Sequence, residues 1–193
     1  MVATIDRSAD LIRAGVNGGG WVAPENTAQP ATPDFSQPAS PWSPLGAIST
    51  DGLTEGFSQD QTEVLAWGQL TPIRVLATKK ARTFKVKMIE TSRDAVRSVF
   101  FGVAASTLTP DASGNSSISE SGTPARDLRA WLFDVIDGAD VERIYVPSGE
   151  VTNRADVQHH NNDVDGYEVT VTAYPDADGN VAYRLYTGQA AAS

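Results

Sequence analysis

The sequence contains no cysteine, two histidines and no long apolar run. The absence of cysteine excludes disulfides, thiolate nucleophiles and cysteine-ligated zinc sites. No apolar stretch reaches the roughly 18 residues that a membrane-spanning helix needs. Residues 1–20 carry charges where a signal peptide would be apolar, so secretion by the usual route is not expected. A length of 193 residues, 40% of them hydrophobic, indicates one globular domain, or one domain with an arm.

Histidine is too scarce for most catalytic arrangements. His159 and His160 are the only histidines. Neighbouring residues on a strand point to opposite faces, so the two are not expected to chelate one ion. With Asp163 and Asp165 nearby, a metal site in this loop is an alternative to an ordinary solvated loop. A Ser-His-Asp triad would have to use one of these histidines, and no nucleophile motif surrounds either.

Two acidic patterns have structural explanations. The stretch DADGN at 176–180 resembles the start of a calcium loop, but Thr187 stands where the twelfth-position glutamate belongs. A turn between two strands explains it better. Asp134 and Asp137 could be paired acids, but residues three apart on a strand face opposite sides. We therefore expect no enzyme, no metal and no cofactor.

Charge is distributed unevenly along the chain. Residues 71–101 hold eight basic and two acidic side chains. Residues 1–70 hold two basic and eight acidic side chains, and residues 102–193 hold five and fourteen. The basic stretch could bind nucleic acid, or it could be a solvated strand face that meets acidic neighbours. The net charge of −9 favours the second interpretation, because an acidic surface repels phosphates.

Residues 1–44 are predicted to form an extended arm. Residues 21–44 contain six of the eleven prolines, which exclude a helix and disfavour a central strand. The same stretch contains Trp21, Phe35 and Trp42, and a disordered linker seldom carries three large aromatics. The arm should therefore dock on its own domain or on a neighbouring subunit.

Residues 45–193 are predicted to form a mainly β domain. About eight or nine short strands with one helix indicate a β-sandwich or barrel-like fold. The clearest strand is 82–90, in which three apolar residues alternate with lysines. Residues 128–138 are apolar on both faces and are predicted to be central. The stretches 167–176 and 181–188 are predicted to pair as a hairpin.

The change of period over residues 92–102 predicts the one helix. Ser92 can cap its start, and Gly102 can end it. Residues 106–125 are rich in serine, threonine and glycine, so they are predicted to form a long loop.

The stretch PLGAISTDGLTEGFS, residues 44–58, is predicted to be a β-hairpin. An Asp-Gly pair between alternating segments is a strong turn signal, so the turn is placed at Asp51 and Gly52. Leu53 and Phe57 share one face of the second strand. They are candidates for contacts between subunits, unless that face points into the core.

The order of several motifs resembles the major tail tube proteins of long-tailed, non-contractile, siphovirus-type bacteriophages, especially phages of actinobacterial hosts. The resemblance covers residues 20–188, and a proline-dense arm and a serine-rich loop at 106–125 depart from it. The motifs are GWVAPENTAQPATP (20–33), LGAISTDGLTEGFS (45–58), EVLAWGQLTPIRVL (63–76), FKVKMIETSRDAVRSVFFG (84–102) and RAWLFDVIDG (129–138).

The resemblance implies a tail tube fold, with one short helix beside the β-domain. It implies hexameric rings that stack around a tape measure protein into a tube through which genomic DNA passes without specific binding. Tail terminator and distal tail proteins are further implied partners, and the virion, assembled in the host bacterial cytoplasm, is the implied location. The candidate contact residues between subunits are Trp21, Pro24, Phe35, Trp42, Asp51, Gly52, Leu53 and Phe57. With such assembly implied, we expect deletion of residues 1–40 to leave a folded subunit that cannot polymerise.

Two other classes remain open at this stage. A monomeric β-sandwich module that binds carbohydrate or a receptor would need exposed aromatic residues on a concave face. Trp67 and Trp131 could stack on sugars, but Trp131 is predicted to lie in the core and Trp67 at a strand end packed by the arm. A hydrolase would have to use His159 or His160.

Overall fold

A computed structural model describes residues 12–31, 36–108, 110–123, 125–161 and 164–187. It is mainly β, as predicted, with one α-helix, α1 (Asp94–Phe101), and a short 3-10 helix (Ala105–Leu108). The strands in chain order are β1 (Asn17–Pro24), β2 (Ser43–Pro44), β3 (Ile48–Val64), β4 (Arg74–Met88), β5 (Leu128–Asp137), β6 (Asp140–Arg154), β7 (Tyr167–Tyr174) and β8 (Tyr183–Thr187).

All eight strands belong to one antiparallel sheet with the order β2-β1-β5-β6-β7-β4-β3, and β8 pairs with β6. The sheet is not closed, but it is strongly curved. Phe84 on β4 stacks on Phe133 on β5 with 5.7 Å between ring centroids, although β6 and β7 lie between those strands. Such contacts require the sheet to curl around its own side chains. The architecture is therefore an open, barrel-like sheet.

The concave side of the sheet holds the main core. Phe84, Val86 and Met88 are buried in it while Lys85 is exposed, as the alternation predicts. Helix α1 covers part of this core with Val96. Each such apolar side chain contributes about 1.5–3 kcal/mol by leaving water.

The convex side of the sheet carries a smaller apolar cluster. β5 is buried on both faces, as predicted, because Ala130 and Leu132 belong to this second cluster. Trp42 covers it, with its ring edge-on to Tyr145 at 6.2 Å. The part of the chain just before β2 therefore docks on its own subunit.

The expectation that residues 21–44 avoid a central strand is wrong for residues 21–24. They belong to β1, which pairs with β5 along its whole length and with β2. Pro24 is tolerated because it is the last residue of β1. Deletion of residues 1–40 removes this strand, so we no longer expect that truncated chain to fold. The division into an arm (1–44) and a domain (45–193) otherwise stays a prediction.

The hairpin predicted at residues 44–58 is wrong. Asp51 and Gly52 lie inside the continuous strand β3, and Gly52 has a φ of 67°. Ile48 pairs with Met88 and Leu53 with Val86, so β3 bulges between them. An Asp-Gly pair supplies the positive φ that a bulge can use as well as a turn. The hairpin that does form joins β3 to β4.

The helix predicted over residues 92–102 is confirmed. Gly102 ends α1 in the left-handed conformation, with a φ of 67°, as predicted. The predicted cap at Ser92 is wrong, because Arg93 occupies the N-cap position and makes no side-chain capping bond. Packing of Val96 and Val99 against the core, more than capping, holds this short helix in place.

The predicted pairing of the last two strands is wrong, although the turn between them forms. β6 has fifteen residues, so one of its edges accommodates two short partners end to end. β7 pairs with residues 148–154 of β6, and β8 pairs with residues 141–145. The turn at 176–180 thus connects two strands that lie along the same neighbour.

Candidate assembly surface

The outer part of the β3–β4 hairpin is not paired with the rest of the sheet. β4 pairs with β7 only from Arg82 to Met88, so residues 74–81 have β3 as their single partner among the described strands. Eight residues at about 3.4 Å each give a projection of roughly 27 Å. Side chains on both faces of this part of β4 are exposed. A two-stranded ribbon has little stability of its own, so its length suggests that a partner supports it.

The hairpin tip, residues 65–73, is apolar and carries no charge. Trp67 and Leu70 are fully exposed there, and Leu65 and Ile73 are more than half exposed. The prediction that the arm covers Trp67 is therefore wrong. Contiguous apolar patches on a soluble protein mark interaction sites. The hairpin tip is the clearest such patch among the described residues.

The root of the hairpin is fixed by ion pairs. Glu55 on β3 accepts hydrogen bonds from Arg82 on β4, at 2.8 Å, and from Arg184 on β8. Arg184 also pairs with Glu142 on β6. Partial burial alone would lower the pKa of Arg184, but hydrogen bonds to Glu55 and Glu142 raise it above its usual range. The hairpin therefore leaves the body of the subunit at a defined place.

β3 also leaves an unpaired backbone edge. It lies at one end of the sheet and pairs only with β4 among the described strands. An exposed edge strand is a template for another chain unless charges or bulges protect it. The bulge at Gly52 and the acidic residues Asp60 and Glu63 restrict which partners this edge can accept.

The predicted contact residues of the first 44 positions lie in different environments. Trp42 is buried in the convex cluster of its own subunit, and Trp21 is half-buried beside it. Pro24 is exposed at the end of β1. Phe35 lies outside the described residues. A contact between subunits at any of these positions remains a prediction.

The predicted contact residues of β3 are partly available. Asp51 and Gly52 are exposed in the bulge, whereas Leu53 packs partly against the main core. Phe57 is largely exposed, and the guanidinium carbon of Arg82 lies 3.4 Å from its ring centroid. Their role between subunits also stays a prediction.

Sequence reasoning missed the hairpin tip. The signal that could have revealed it is the uncharged stretch LAWGQLTPI, residues 65–73, between a strand with acidic residues and a strand with basic ones.

The described residues show no arrangement typical of a catalytic or metal site. His159 Nδ1 lies 2.6 Å from Asp165 Oδ2, and the His159 side chain is largely exposed while that of Asp165 is partly exposed. Asp163 lies outside the described part of the chain. Within that part, no three His, Cys, Asp or Glu side chains are placed to share a metal ion.

The other acidic candidates are engaged separately. Asp134 pairs with Arg143, and Asp137 Oδ2 accepts a hydrogen bond from the Ala14 amide at 2.7 Å. The two aspartates therefore do not form a pair of acids.

The carboxylate of Asp176 is used by its own turn. Oδ1 accepts hydrogen bonds from the amides of Asp178, at 3.0 Å, and Asn180, at 2.9 Å. Tyr183 donates its hydroxyl to Oδ2 at 2.6 Å. Hydrogen bonds from Tyr183 and from the Asn180 amide lower the pKa of Asp176. The DADGN stretch is therefore a turn, as predicted, in which the Asp176 carboxylate accepts hydrogen bonds from neighbouring residues. It resembles a calcium loop only in these five residues.

No helix among the described residues is long and apolar enough to cross a lipid bilayer.

Comparison with known proteins identifies a family for this chain. A family model described as phage tail tube protein matches residues 6–192. No curated protein matches the chain in sequence. Among solved structures, one similar fold is the sheath/tube terminator of the extracellular contractile injection system PVC in its extended state. It is 7% identical, with a TM-score of 0.44, over 92% of this chain and 99% of that one.

Proposed function

Because the chain belongs to the phage tail tube protein family, we propose that its copies form hexameric rings that stack into the tail tube. The tube is the conduit through which genomic DNA enters the host. The observation that carries this proposal is the hairpin tip. Its apolar side chains are exposed at the end of a hairpin whose base is held by ion pairs. A subunit that polymerises needs such a surface, and an isolated subunit does not.

Stacking is supported by the exposed hairpin. A contact between two different surfaces of identical subunits repeats without limit unless rotation closes it into a ring. The roughly 27 Å ribbon is exposed on both faces, so its own body does not cover it. It can therefore contact a copy in the next ring while the body contacts neighbours within its own ring.

Ring closure is supported by the open sheet. The edge of β3 is unpaired among the described strands, and β2 at the other end has only two residues. Six copies joined side by side would cover these edges, as a closed arrangement requires. The long edge of β3 is then an interface and not an aggregation hazard.

The net charge of the chain favours a conduit for DNA rather than a protein that binds DNA. The net charge is −9, and a wall with this sign repels phosphate groups and lets DNA slide. The basic residues of β4 include Lys79 and Lys80, which lie on the exposed ribbon and not in a groove. They can contact acidic neighbours or the tape measure protein.

The remaining proposed partners are other components of a phage tail. The protein is a virion component of a phage tail. We propose that the tape measure protein fills the tube during assembly in the host cytoplasm, and that tail terminator and distal tail proteins bind its two ends.

A monomeric carbohydrate- or receptor-binding module is the alternative. Such a module needs aromatic residues in a concave site. The exposed Trp67 stands instead on a convex tip. No observation on the described residues favours this alternative over assembly.

Electron microscopy of the purified chain at high concentration, with light scattering alongside, tests the proposal. Rings of six subunits or tubes with a central hole are the expected result. A strictly monomeric protein at all concentrations that also binds a glycan would contradict it.

A further inference from the structure

We propose that the hairpin tip of one copy seats in a small apolar cavity at the opposite end of a second copy. This inference rests on the proposed function and identifies the receiving surface. The cavity, here called the receiving cavity, has a volume of about 250 Å³. It lies between the end of β1, the start of β5 and helix α1. Its apolar lining comes from Val22, Ala23, Pro24, Pro41, Ala95, Ala104, Ala105 and Leu128.

The register of the sheet places tip and cavity at opposite ends. Arg82 pairs with Ala173, Ala173 with Gly149, Gly149 with Arg129, and Arg129 with Pro24. This row of residues thus runs from the root of the hairpin to the wall of the receiving cavity.

From that row the hairpin and the helix leave in opposite directions. The hairpin continues for eight residues beyond Arg82 before its tip begins, which is roughly 27 Å. Helix α1 follows Met88, at the other end of β4. The tip therefore does not reach the cavity of its own copy, and a second copy is the occupant that can bring the two together.

The chemistry of the two surfaces matches. The receiving cavity contains one charged pair, Arg129 with Asp127, whose side chains satisfy each other at 2.9 Å. Arg129 also donates to Ser98 Oγ at 2.8 Å. An occupant of this cavity therefore needs no charge of its own. The tip from Leu65 to Ile73 has none.

The mouth of the receiving cavity is also wide enough for an aromatic side chain. The small side chains of Ala104 and Ala105 at the cavity mouth leave room for a large ring such as that of Trp67. Opposite ends that fit each other give a contact that repeats along an axis.

Cysteine cross-linking tests the contact without background, because the chain has no cysteine. The test pair is Leu70→Cys with Ala105→Cys, and the control pair is Leu70→Cys with Ala112→Cys, an exposed alanine outside the cavity. Under mild oxidation we expect the test pair to give a ladder of cross-linked multimers and the control pair to give monomers.

A second test fills the cavity with the substitution Ala105→Trp, which we expect to reduce tube formation at least tenfold. The control substitution Ala112→Trp should leave tube formation unchanged.

The outcomes separate this inference from the proposed function. If wild-type protein forms tubes but no cross-link forms between positions 70 and 105, the proposed contact at the receiving cavity is wrong and the proposed tube function is unaffected. Normal tubes from Ala105→Trp, or equal cross-linking of both pairs, would also overturn the proposed contact. A wild-type protein that forms no tubes counts against the proposed function, and the same cross-link in the soluble protein then decides the contact. Cross-links from the tip to other positions would identify a different receiving surface.

Discussion

Asp134 on β5 and Arg143 on β6 form a buried ion pair. Arg143 donates from Nε to Oδ1 at 2.8 Å and from Nη2 to Oδ2 at 2.7 Å. The two residues are 4% and 1% exposed and stand directly opposite each other in the sheet. The Trp21 ring lies 6.0 Å from the guanidinium carbon. A two-point pair of this kind ties the central strands together at one register.

Asp134→Asn should lower the free energy of unfolding by about 3–5 kcal/mol, because it removes the carboxylate that pairs with the buried guanidinium of Arg143. Urea denaturation of the unassembled subunit measures the change. Lys85→Met is the matched control, since it breaks the exposed pair of Lys85 with Glu168 and should cost about 0–1 kcal/mol. Equal effects of the two changes would mean that the buried pair does not hold β5 to β6.

Gly149→Ala should destabilise the subunit by about 1–3 kcal/mol through overpacking. A Cβ at this position would stand 2.9 Å from Val171 and 3.0 Å from the fully buried ring of Trp131. Gly122→Ala is the control, because nothing lies within 4 Å of its Cβ position. Thermal melting of the two variants measures the difference. A Gly149→Ala protein as stable as Gly122→Ala would show that the Trp131 ring can move aside.

The sequence predicted elements whose signals are local. Alternation in residues 82–90 placed Phe84 and Met88 in the core, and the change of period at 92–102 placed the helix with its end at Gly102. Two-sided apolarity placed β5 in the middle of the sheet. Each of these signals is decided by one segment and its burial, so no knowledge of the partners was needed.

The errors arose where pairing partners decide the outcome. The same Asp-Gly signal fits a turn or a bulge, and only the register of β3 on β4 shows that Gly52 is in a bulge. Pro24 ends a paired strand because β5 lies beside it. The exposure of Trp67 follows from the length of β4 beyond β7, which no local pattern records. The assembly surface was therefore the part least accessible to sequence reasoning.

Asp176→Asn should remove a contribution to stability that depends on pH. The folded-state pKa of Asp176 is lowered by hydrogen bonds from Tyr183 and from the Asn180 amide. A lowered pKa stabilises the fold above the unfolded value, about 3.9, and this contribution disappears as pH falls through the folded value. The melting temperatures of wild type and Asp176→Asn should therefore differ at pH 6 and converge below pH 4.

Tyr183→Phe provides a check on the cause in the same experiment. It removes the hydroxyl that donates to Asp176 Oδ2, so the pH-dependent difference should shrink. A gap between wild type and Asp176→Asn that stays constant from pH 6 to pH 2.5 would mean that the carboxylate charge contributes nothing. The turn would then depend on backbone geometry alone.

Trp67→Ala, combined with Leu70→Ala, should abolish tube formation while leaving the subunit folded. Both side chains are fully exposed, so truncating them removes no core contact, and the free energy of unfolding should change by less than about 0.5 kcal/mol. In the proposed contact between copies, the same residues become buried anchors, and each such aromatic or apolar anchor contributes about 2 kcal/mol or more. Light scattering against concentration measures assembly, and urea denaturation measures folding.

Val164→Ala is the control for this tip variant, because Val164 is another exposed apolar residue and lies outside the hairpin. It should assemble like the wild type. Assembly of the Trp67/Leu70 double variant at wild-type concentration would show that the tip is not an anchor. The unpaired edge of β3 would then have to supply the interface, and charge reversal at Asp60 and Glu63 on that edge would be the change that stops polymerisation.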